Sequence, residues 1–148
     1  MDHLIRIGIK ADEDSIRSLF IEMLKTIYDT EDVKGYDEGY LDRYFNDSED
    51  RIYVADDGGV IAFLSIEVHH EDKDYIYLDD LSVTRECRNM GIGTKLIKKA
   101  ESYAKDIKIP AILFHVEKTN TDAMRLYERL GYQIFLDDEN RYLLKKDI

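Results

Sequence analysis

Two adjacent carboxylates, Asp79 and Asp80, stand where the pattern of a predicted strand is interrupted. The apolar positions of the segment 75–83 change from even to odd numbers at this pair; they are Ile76, Leu78, Leu81 and Val83. A β-bulge produces such a one-residue shift and leaves backbone groups without their ladder partners. Adjacent carboxylates can also raise each other's pKa toward the range in which a general base works. The alternative is a regular strand at an exposed edge.

A glycine-containing loop follows this strand and runs into a predicted helix. Residues 88–94 read Arg-Asn-Met-Gly-Ile-Gly-Thr, and the glycines at 91 and 93 let the backbone approach a ligand closely. The free N–H groups and the positive dipole end of the helix form an anion site that Arg88 reinforces. This pattern predicts a phosphate-bearing cofactor. It matches neither the dinucleotide-binding fingerprint nor the P-loop, and a plain strand-to-helix turn is the alternative.

Periodicity in the rest of the chain predicts alternating strands and helices. Strands are expected over residues 5–9, 51–55, 60–68, 75–83, 111–117, 132–136 and 141–145, with a tight turn at 56–59. Helices are expected over residues 12–27, over a lysine-rich segment that ends near residue 104, and over residues 121–130. Asp12 and Asn120 are the expected N-caps, and Gly131 ends the last helix.

A further short helix is expected in the acid-rich stretch between residues 29 and 50. Its apolar positions are Tyr36, Tyr40, Leu41, Tyr44 and Phe45. Aromatic rings beside carboxylates can hold a cation. The alternative is that these tyrosines pack a short helix onto the core.

The charge of the chain is acidic and unevenly distributed, with 21 Lys and Arg against 32 Asp and Glu and a formal net charge of −11. This balance argues against a general nucleic-acid binder, because phosphate contacts require basic surface. Residues 1–80 hold 22 acids and 8 bases, whereas residues 81–148 hold 10 acids and 13 bases. The first half would favour a cationic ligand and the second an anionic one. The alternative is that the acids only keep the surface solvated.

Length and residue usage predict a single domain over residues 1–148. A chain of this size buries enough surface to fold without a disulfide or a metal. Cys87 is the one cysteine, which suits a reducing compartment, and we expect it to be structural. The first ten residues give no signal peptide, and no apolar run reaches the length of about 18 residues that a membrane helix needs. We therefore expect a cytoplasmic protein with neither a membrane nor a nucleic acid as partner.

The four histidines, His3, His69, His70 and His115, lack the spacing of metal ligands. His69 and His70 are adjacent, so on a strand their side chains would point to opposite faces. No metal site is expected.

Two motifs together resemble the GNAT superfamily of N-acetyltransferases. The first is Arg88-x-x-Gly91-x-Gly93 after a strand that ends in Leu-Ser-Val. The second motif consists of Asn120, Ala123, Leu126, Tyr127, Gly131 and Tyr132. The order of elements also fits, so the resemblance covers nearly the whole chain. It implies an α/β (α+β) fold: a mixed, mostly antiparallel sheet of about seven strands, splayed between strands 4 and 5, with flanking helices.

The resemblance implies acetyl-CoA as the cofactor, with CoA as the product. Acetyl-CoA would lie between the strands 75–83 and 111–117. Residues 81–83 would pair with the pantetheine arm, residues 88–94 would hold the pyrophosphate, and Asn120 would contact the cofactor near its thiol. The implied cofactor-binding residues are Leu81, Ser82, Val83, Arg88, Asn89, Met90, Gly91, Ile92, Gly93, Thr94, Asn120 and Tyr127.

The implied reaction is direct transfer of an acetyl group to a primary amine in a ternary complex. The amine, with a pKa of about 10.4, must lose a proton to a carboxylate or a bound water; the candidate side chains are Asp79, Asp80 and Glu117, with His115 as a further one. Tyr127 matches the family's general acid, which protonates the CoA thiolate. Its alternative is a packed aromatic on an apolar helix face. A backbone N–H near the bulge would stabilise the oxyanion.

The acidic pair bears on the identity of the acceptor. The pair Asp79-Asp80 is similar to the corresponding strand of diamine and polyamine acetyltransferases, which favours a small cationic amine or polyamine. The alternatives are a lysine side chain or N-terminus of a protein or peptide, and a noncatalytic acetyl-CoA sensor. A homodimer is compatible with such a domain, although no sequence feature marks it.

Overall fold

A computed structural model describes residues 4–46 and 48–148. Within them the strands are β1 (Leu4–Ile7), β2 (Arg51–Asp56), β3 (Val60–His69), β4 (Tyr75–Val83), β5 (Ala111–Glu117), β6 (Gln133–Asp138) and β7 (Arg141–Asp147). The α-helices are α1 (Glu13–Tyr28), α2 (Ile92–Asp106) and α3 (Thr121–Arg129). Short 3-10 turns cover Lys10–Asp12, Tyr40–Tyr44 and Arg85–Cys87. The predicted strands and the three main predicted helices are thus present, with small differences at their ends.

The strands form a mixed sheet in the order β1-β2-β3-β4-β5-β7-β6. The β1–β2, β2–β3, β5–β7 and β6–β7 pairs are antiparallel, whereas β4 and β5 are parallel and pair Ile76 with Ile112 and Tyr77 with Leu113. The predicted seven-stranded, mostly antiparallel fold class is confirmed, and the splay beyond these two pairs stays a prediction. β4 has β5 as a neighbour at Ile76 and Tyr77, so this part of the strand is not at an edge.

The chain divides into two compact units, and the division falls inside β4. Unit 1 holds residues up to 67 together with 79–100, and unit 2 holds residues 68–78 and 101–148. The two carboxylates and the loop 88–94 therefore belong to unit 1, whereas β5 and α3 belong to unit 2. The single domain over residues 1–148 stays a prediction.

Unit 1 packs α1 against β2 and β3. Its buried core contains Ile16, Leu19, Leu41, Tyr44, Ile52, Val54 and Phe63. The apolar residues of α1 recur three or four positions apart and so form one stripe toward the sheet. That stripe is shorter than expected, because Ile27 is 61% exposed.

Two local expectations for unit 1 are confirmed only in part. Asp12 is the N-cap residue of α1 as predicted, but its carboxylate makes no capping hydrogen bond and instead accepts from the Ile9 N–H and the Arg6 guanidinium, both at 2.8 Å. The tyrosine-rich stretch forms only the turn Tyr40–Tyr44, preceded by Gly39 in the left-handed region at φ 79°. Asp12 bonds to Arg6 because the guanidinium is a charged donor, whereas the N–H groups at the start of α1 are neutral.

Unit 2 packs α3 against one face of β5. The Phe114 ring meets Tyr127 and Tyr132 edge-on, with centroids 4.6 and 4.9 Å apart. Asn120 caps α3 as predicted, because its side-chain oxygen accepts the Ala123 N–H at 3.2 Å. Gly131 follows the helix at φ 99°, which glycine adopts without strain.

Candidate active site

The carboxylates of Asp79 and Asp80 both reach the same pair of stacked tyrosines. Tyr36 Oη donates to Asp80 Oδ2 at 2.6 Å, and Tyr40 Oη donates to Asp79 Oδ2 at 3.3 Å. The tyrosine rings are nearly parallel, with centroids 5.0 Å apart. Consecutive side chains of a regular strand point to opposite faces. Their convergence here indicates a local irregularity of the backbone. The buried residues of β4, Ile76, Leu78 and Ser82, all lie at even positions, so the predicted shift of the buried face is not observed and the bulge stays a prediction.

The backbone of Asp80 is bound by a side chain of the neighbouring strand. Its N–H donates to the Oγ of buried Ser65 on β3 at 2.9 Å, and the Ser65 hydroxyl donates to the Asp80 carbonyl at 3.5 Å. These contacts use the one proton of the hydroxyl and one of its lone pairs. The N–H of Asp80 is therefore occupied and is not the oxyanion donor expected near the bulge.

Past the acidic pair, Ser82 is the buried residue of β4, in place of the expected Leu81 and Val83. Ser82 is 4% exposed, and its hydroxyl donates to the Leu19 carbonyl of α1 at 3.1 Å. Leu81 and Val83 are half-buried. Leu81 faces the start of α2, where a Cβ added to Gly93 would lie 3.6 Å from Leu81 Cδ2. Helices α1 and α2 therefore contact opposite faces of this part of β4. The buried Ser82 hydroxyl is satisfied by its hydrogen bond to the Leu19 carbonyl.

Aromatic rings stand beside the carboxylates. Phe20 of α1 stacks on Tyr36 with centroids 3.8 Å apart. A cavity of about 350 Å³ opens here, within the range of small-ligand sites, and is lined by Phe20, Lys34, Gly35, Tyr36, Asp37, Tyr40, Asp79 and Asp80. We refer to Phe20, Tyr36, Tyr40, Asp79 and Asp80 as the acid–aromatic cluster.

The two carboxylates of this cluster differ in their titration. Burial, followed by the charges of Asp80 and Glu67, raises the pKa of Asp79 to about 6, against an opposing hydrogen bond from Tyr40. Burial also raises the pKa of Asp80, but the hydrogen bond from Tyr36 opposes that rise. Asp79 therefore exchanges its proton close to neutral pH, where a general base is most effective.

The loop between β4 and α2 combines a left-handed glycine with a helix start. Gly91 has φ 79° and would place an added Cβ in open space, so backbone conformation alone requires glycine there. The Lys95 N–H donates to the Gly91 carbonyl at 3.1 Å, and the N–H groups before it in the first turn lack intrahelical acceptors. Arg88 Nε donates to the Val83 carbonyl at 3.0 Å, which fixes the start of the loop.

Asn120, expected near the thiol end of the cofactor, precedes α3, and Tyr127, the expected general acid, lies within α3. Asn120 is exposed, and its oxygen is engaged by the helix cap. Burial raises the pKa of the Tyr127 hydroxyl, so it stays protonated at neutral pH, as a proton donor must. The ring of Tyr127 packs edge-on against Phe114, as the alternative of a packed aromatic predicted. This contact involves the ring and not the hydroxyl, so it is compatible with proton donation.

The other candidate bases, Glu117 and His115, lie on β5 in different surroundings. Glu117 is exposed and pairs across the sheet with Arg141. His115 is held on both sides: Tyr77 Oη lies 2.5 Å from its Nδ1, and Asp138 Oδ2 lies 3.1 Å from its Nε2. Burial and the charge of Arg141 lower the pKa of His115, against an opposing effect of Asp138. We refer to Tyr77, His115 and Asp138 as the Tyr–His–Asp chain.

Several members of these two groups carry no sequence motif. The hydrogen bonds of Tyr36 and Tyr40 to the carboxylates span 44 and 39 residues, and the bond of Tyr77 to His115 spans 38. Ser65 and Glu67 are signalled only as polar residues within the apolar run of β3. Sheet pairing and the packing of α1 bring these groups together.

Residues 4–46 and 48–148 contain no group of three or more His, Cys, Asp or Glu side chains that could hold a metal ion; His3 lies outside those residues. No helix in the same ranges is long and apolar enough to cross a bilayer. Cys87 is a half-buried free thiol.

Comparison with known proteins assigns a family to this geometry. Residues 17–132 match the sequence model described as the acetyltransferase (GNAT) family. An uncharacterized N-acetyltransferase of Methanocaldococcus jannaschii is 31% identical over 132 residues, which cover 88% of this chain and 78% of that protein. The thialysine N-epsilon-acetyltransferase of Bos taurus is 41% identical over 64 residues, which cover 43% of this chain and 38% of that protein.

Solved structures agree on the fold. A chain in the NatC complex bound to Gag peptide and CoA aligns with a TM-score of 0.77 at 20% identity, over 100% of this chain and 99% of that chain. At this identity the likeness shows the fold alone. The named relatives thus include one acting on a small amine and one bound to a peptide.

Proposed function

This chain belongs to the acetyltransferase (GNAT) family, and we propose that it acetylates a small cationic amine or polyamine. The family assignment makes it an acyltransferase that uses acetyl-CoA and releases CoA. The proposal concerns the acceptor, the residues that act on it, and direct transfer in a ternary complex.

One observation carries the choice of acceptor: two half-buried carboxylates stand against stacked aromatic rings at a cavity. Carboxylates attract an ammonium group, and the faces of tyrosine and phenylalanine rings attract it as well. The cavity volume of about 350 Å³ suits an alkyl diamine better than a folded protein surface. The similarity to the bovine thialysine enzyme supports the same class of acceptor.

Asp79 is the proposed general base. The acceptor enters as an ammonium ion and must become a neutral amine before its nitrogen can attack the thioester carbon. Asp79, with a pKa of about 6, is mostly ionised at pH 7 and can take that proton. Asp80, held by Tyr36 and Ser65, is the fixed negative charge that retains the cation.

The cofactor is proposed to bind along β4 and the loop 88–94. Residues 81–83 offer strand backbone to the pantetheine arm, and the free N–H groups at the start of α2 offer donors to the pyrophosphate. The role of Arg88 is to close the loop through its bond to Val83 and to add positive charge. Asn120 remains the proposed contact near the thiol end.

Tyr127 is the proposed general acid. When the tetrahedral intermediate collapses, the carbon–sulfur bond breaks and the CoA thiolate takes a proton from the phenol. The pKa of Tyr127 is raised by burial, so the phenol is protonated at the pH of the reaction. The amide product leaves with the acetyl group on the acceptor nitrogen.

The Tyr–His–Asp chain supports a second candidate base. His115 is a largely neutral imidazole with its ring fixed by two hydrogen bonds, which is the form that accepts a proton. Glu117 is the third candidate and lacks comparable partners among the described residues. Variants of Asp79, His115 and Glu117 separate these roles.

Thiol release from acetyl-CoA tests the proposed function. The acceptors to compare are diamines, polyamines, aminoglycosides, free amino acids and basic peptides. Turnover with spermidine or a diamine is the expected result, whereas turnover with peptides alone would overturn the choice of acceptor. CoA at about 100 times its dissociation constant should stabilise the fold by about 2.7 kcal/mol, which checks the cofactor independently.

A further inference from the structure

The segment that joins β4 to the loop 88–94 is tied to α1 by one carboxylate. Glu22 Oε1 accepts the Arg85 N–H at 2.9 Å, and the Thr84 hydroxyl lies 3.3 and 3.2 Å from Glu22 Oε1 and Oε2. Glu22 is half-buried on α1. Hydrogen bonds to a charged acceptor are stronger than those between neutral groups. The carboxylate therefore restrains two consecutive residues of the chain just before the loop.

Further contacts fix the same segment on either side. The Ser82 hydroxyl donates to the Leu19 carbonyl of α1, and the Thr84 N–H donates to the Ile61 carbonyl of β3 at 2.9 Å. Arg88 then closes the turn by donating to the Val83 carbonyl. The bond from Ser82 reaches a backbone carbonyl of α1, whereas the bonds from Thr84 and Arg85 reach the side chain of Glu22. A substitution of Glu22 can therefore remove these bonds without changing the sequence of β4.

From these contacts we infer that Glu22 is a positioning residue for the cofactor. By holding Thr84 and Arg85 it sets the path of residues 88–94, so that their N–H groups are arranged before acetyl-CoA arrives. A loop ordered in advance binds its ligand more tightly, because less conformational entropy is lost on binding. This inference rests on the proposed role of the loop in binding acetyl-CoA.

The contact of α1 with the acceptor side is separate. Phe20 stacks on Tyr36 of the acid–aromatic cluster, whereas the carboxylate of Glu22 accepts hydrogen bonds from the segment that precedes the loop. Loss of the Glu22 carboxylate should therefore weaken acetyl-CoA and leave the amine unaffected. A general loss of folding would change both substrates together.

The test compares four variants by steady-state kinetics and by CoA binding. Glu22→Ala should raise KM for acetyl-CoA and Kd for CoA on the order of tenfold, with kcat and the KM for the amine unchanged. Glu22→Gln keeps an oxygen that can accept the Arg85 N–H and should restore most of the affinity. Thr84→Val should have a smaller effect and add little to Glu22→Ala. Asp14→Ala removes an exposed carboxylate from the same helix and should change nothing.

A backbone measurement supports the kinetics. Amide hydrogen exchange at Arg85 should be faster in Glu22→Ala than in wild type and close to wild type in Glu22→Gln.

Equal acetyl-CoA affinity in Glu22→Ala and wild type would overturn the inference, as would equal losses for both substrates or no rescue by Gln. If wild type acetylated amines but the Glu22 variants did not change acetyl-CoA affinity as expected, the proposed function would stand and the role of Glu22 would fall. If wild type bound no CoA, both would fall. Should Glu22→Ala not fold, Gln and Thr84→Val carry the same comparison.

Discussion

In unit 1 the candidate base is a carboxylate among aromatic rings, whereas in unit 2 it is an imidazole between a tyrosine and an aspartate. Burial acts on them in opposite directions: it raises the pKa of Asp79 and lowers that of His115. Each shift disfavours the charged form, which is the anion for a carboxylic acid and the cation for histidine. Burial therefore brings the pKa of a carboxylic acid closer to neutral pH, where the acid can work as a base, and it favours the uncharged form of a histidine.

The two regions also differ in what they can hold. The acid–aromatic cluster has negative charge and a cavity, so it can retain a cation as well as deprotonate it. The imidazole of the Tyr–His–Asp chain is engaged at both nitrogens, so it must release a partner before it accepts a proton. This difference is why the proposed base is Asp79.

The largest expected effect separates the two regions directly. Asp79→Asn should lower kcat roughly 10²- to 10⁴-fold, because a general base is removed while the shape of the side chain is kept. CoA binding should be unchanged, as thermal stabilisation by CoA would show. In the matched variant His115→Gln, kcat should stay close to wild type. A large loss in His115→Gln with little loss in Asp79→Asn would reverse the assignment.

Tyr127→Phe tests the proton donor of unit 2. Removal of the phenol should lower kcat on the order of 10²-fold, since the thiolate must then leave without a positioned acid. The ring is kept, so its packing on Phe114 and the thermal stability should persist. Turnover equal to wild type at all pH values would show that Tyr127 is not the general acid.

Tyr36→Phe sharpens the account of the cluster. It removes the 2.6 Å hydrogen bond to Asp80 but retains the stack on Phe20. Because this bond has a charged acceptor, the KM for the amine should rise roughly tenfold, while the KM for acetyl-CoA stays the same. Tyr40→Phe, whose bond to Asp79 is longer at 3.3 Å, is the milder companion. An equal rise in both KM values would instead indicate a general structural change.

Ser65→Ala probes the irregular backbone of β4. The part-buried N–H of Asp80 would lose its acceptor, which should lower the free energy of unfolding by about 1 kcal/mol. Urea unfolding measures this, with the exposed Ser48→Ala as control. A variant as stable as wild type would show that the Ser65 hydroxyl does not support this irregularity.

Asp79 should destabilise the fold at neutral pH. Its pKa is about 6 in the folded state against 3.8 for the ordinary side chain, so the folded state binds the proton more tightly between these values. Stability from this group therefore falls as pH rises from about 4 to about 6 and stays reduced above. Asp79→Asn should raise the melting temperature at pH 7.5 by a few degrees and have no effect near pH 4. A gain of equal size at both pH values would contradict the raised pKa.

Local pattern predicted much of this molecule. The β-branched and aromatic runs of β2 and β3, the apolar stripe of α2 and the bounds of β4 and β5 depend on neighbours within a few residues, and these predictions are confirmed. Asp12 and Ser82 were misjudged because their partners, Arg6 and the Leu19 carbonyl, become available only after folding. The pairing of Tyr36 with Asp80 likewise requires a loop to pack on a strand.

The pH dependence of kcat/KM for a diamine, compared between wild type and His115→Gln, distinguishes Asp79 from His115 as the general base. Asp79 must be ionised to act, so both proteins should show kcat/KM rising with pH through an apparent pKa of about 6. Retention of that rise in His115→Gln would place the titrating base in the acid–aromatic cluster. Loss of the rise in His115→Gln, with the rise preserved in Asp79→Asn, would contradict the account and assign the base to the Tyr–His–Asp chain.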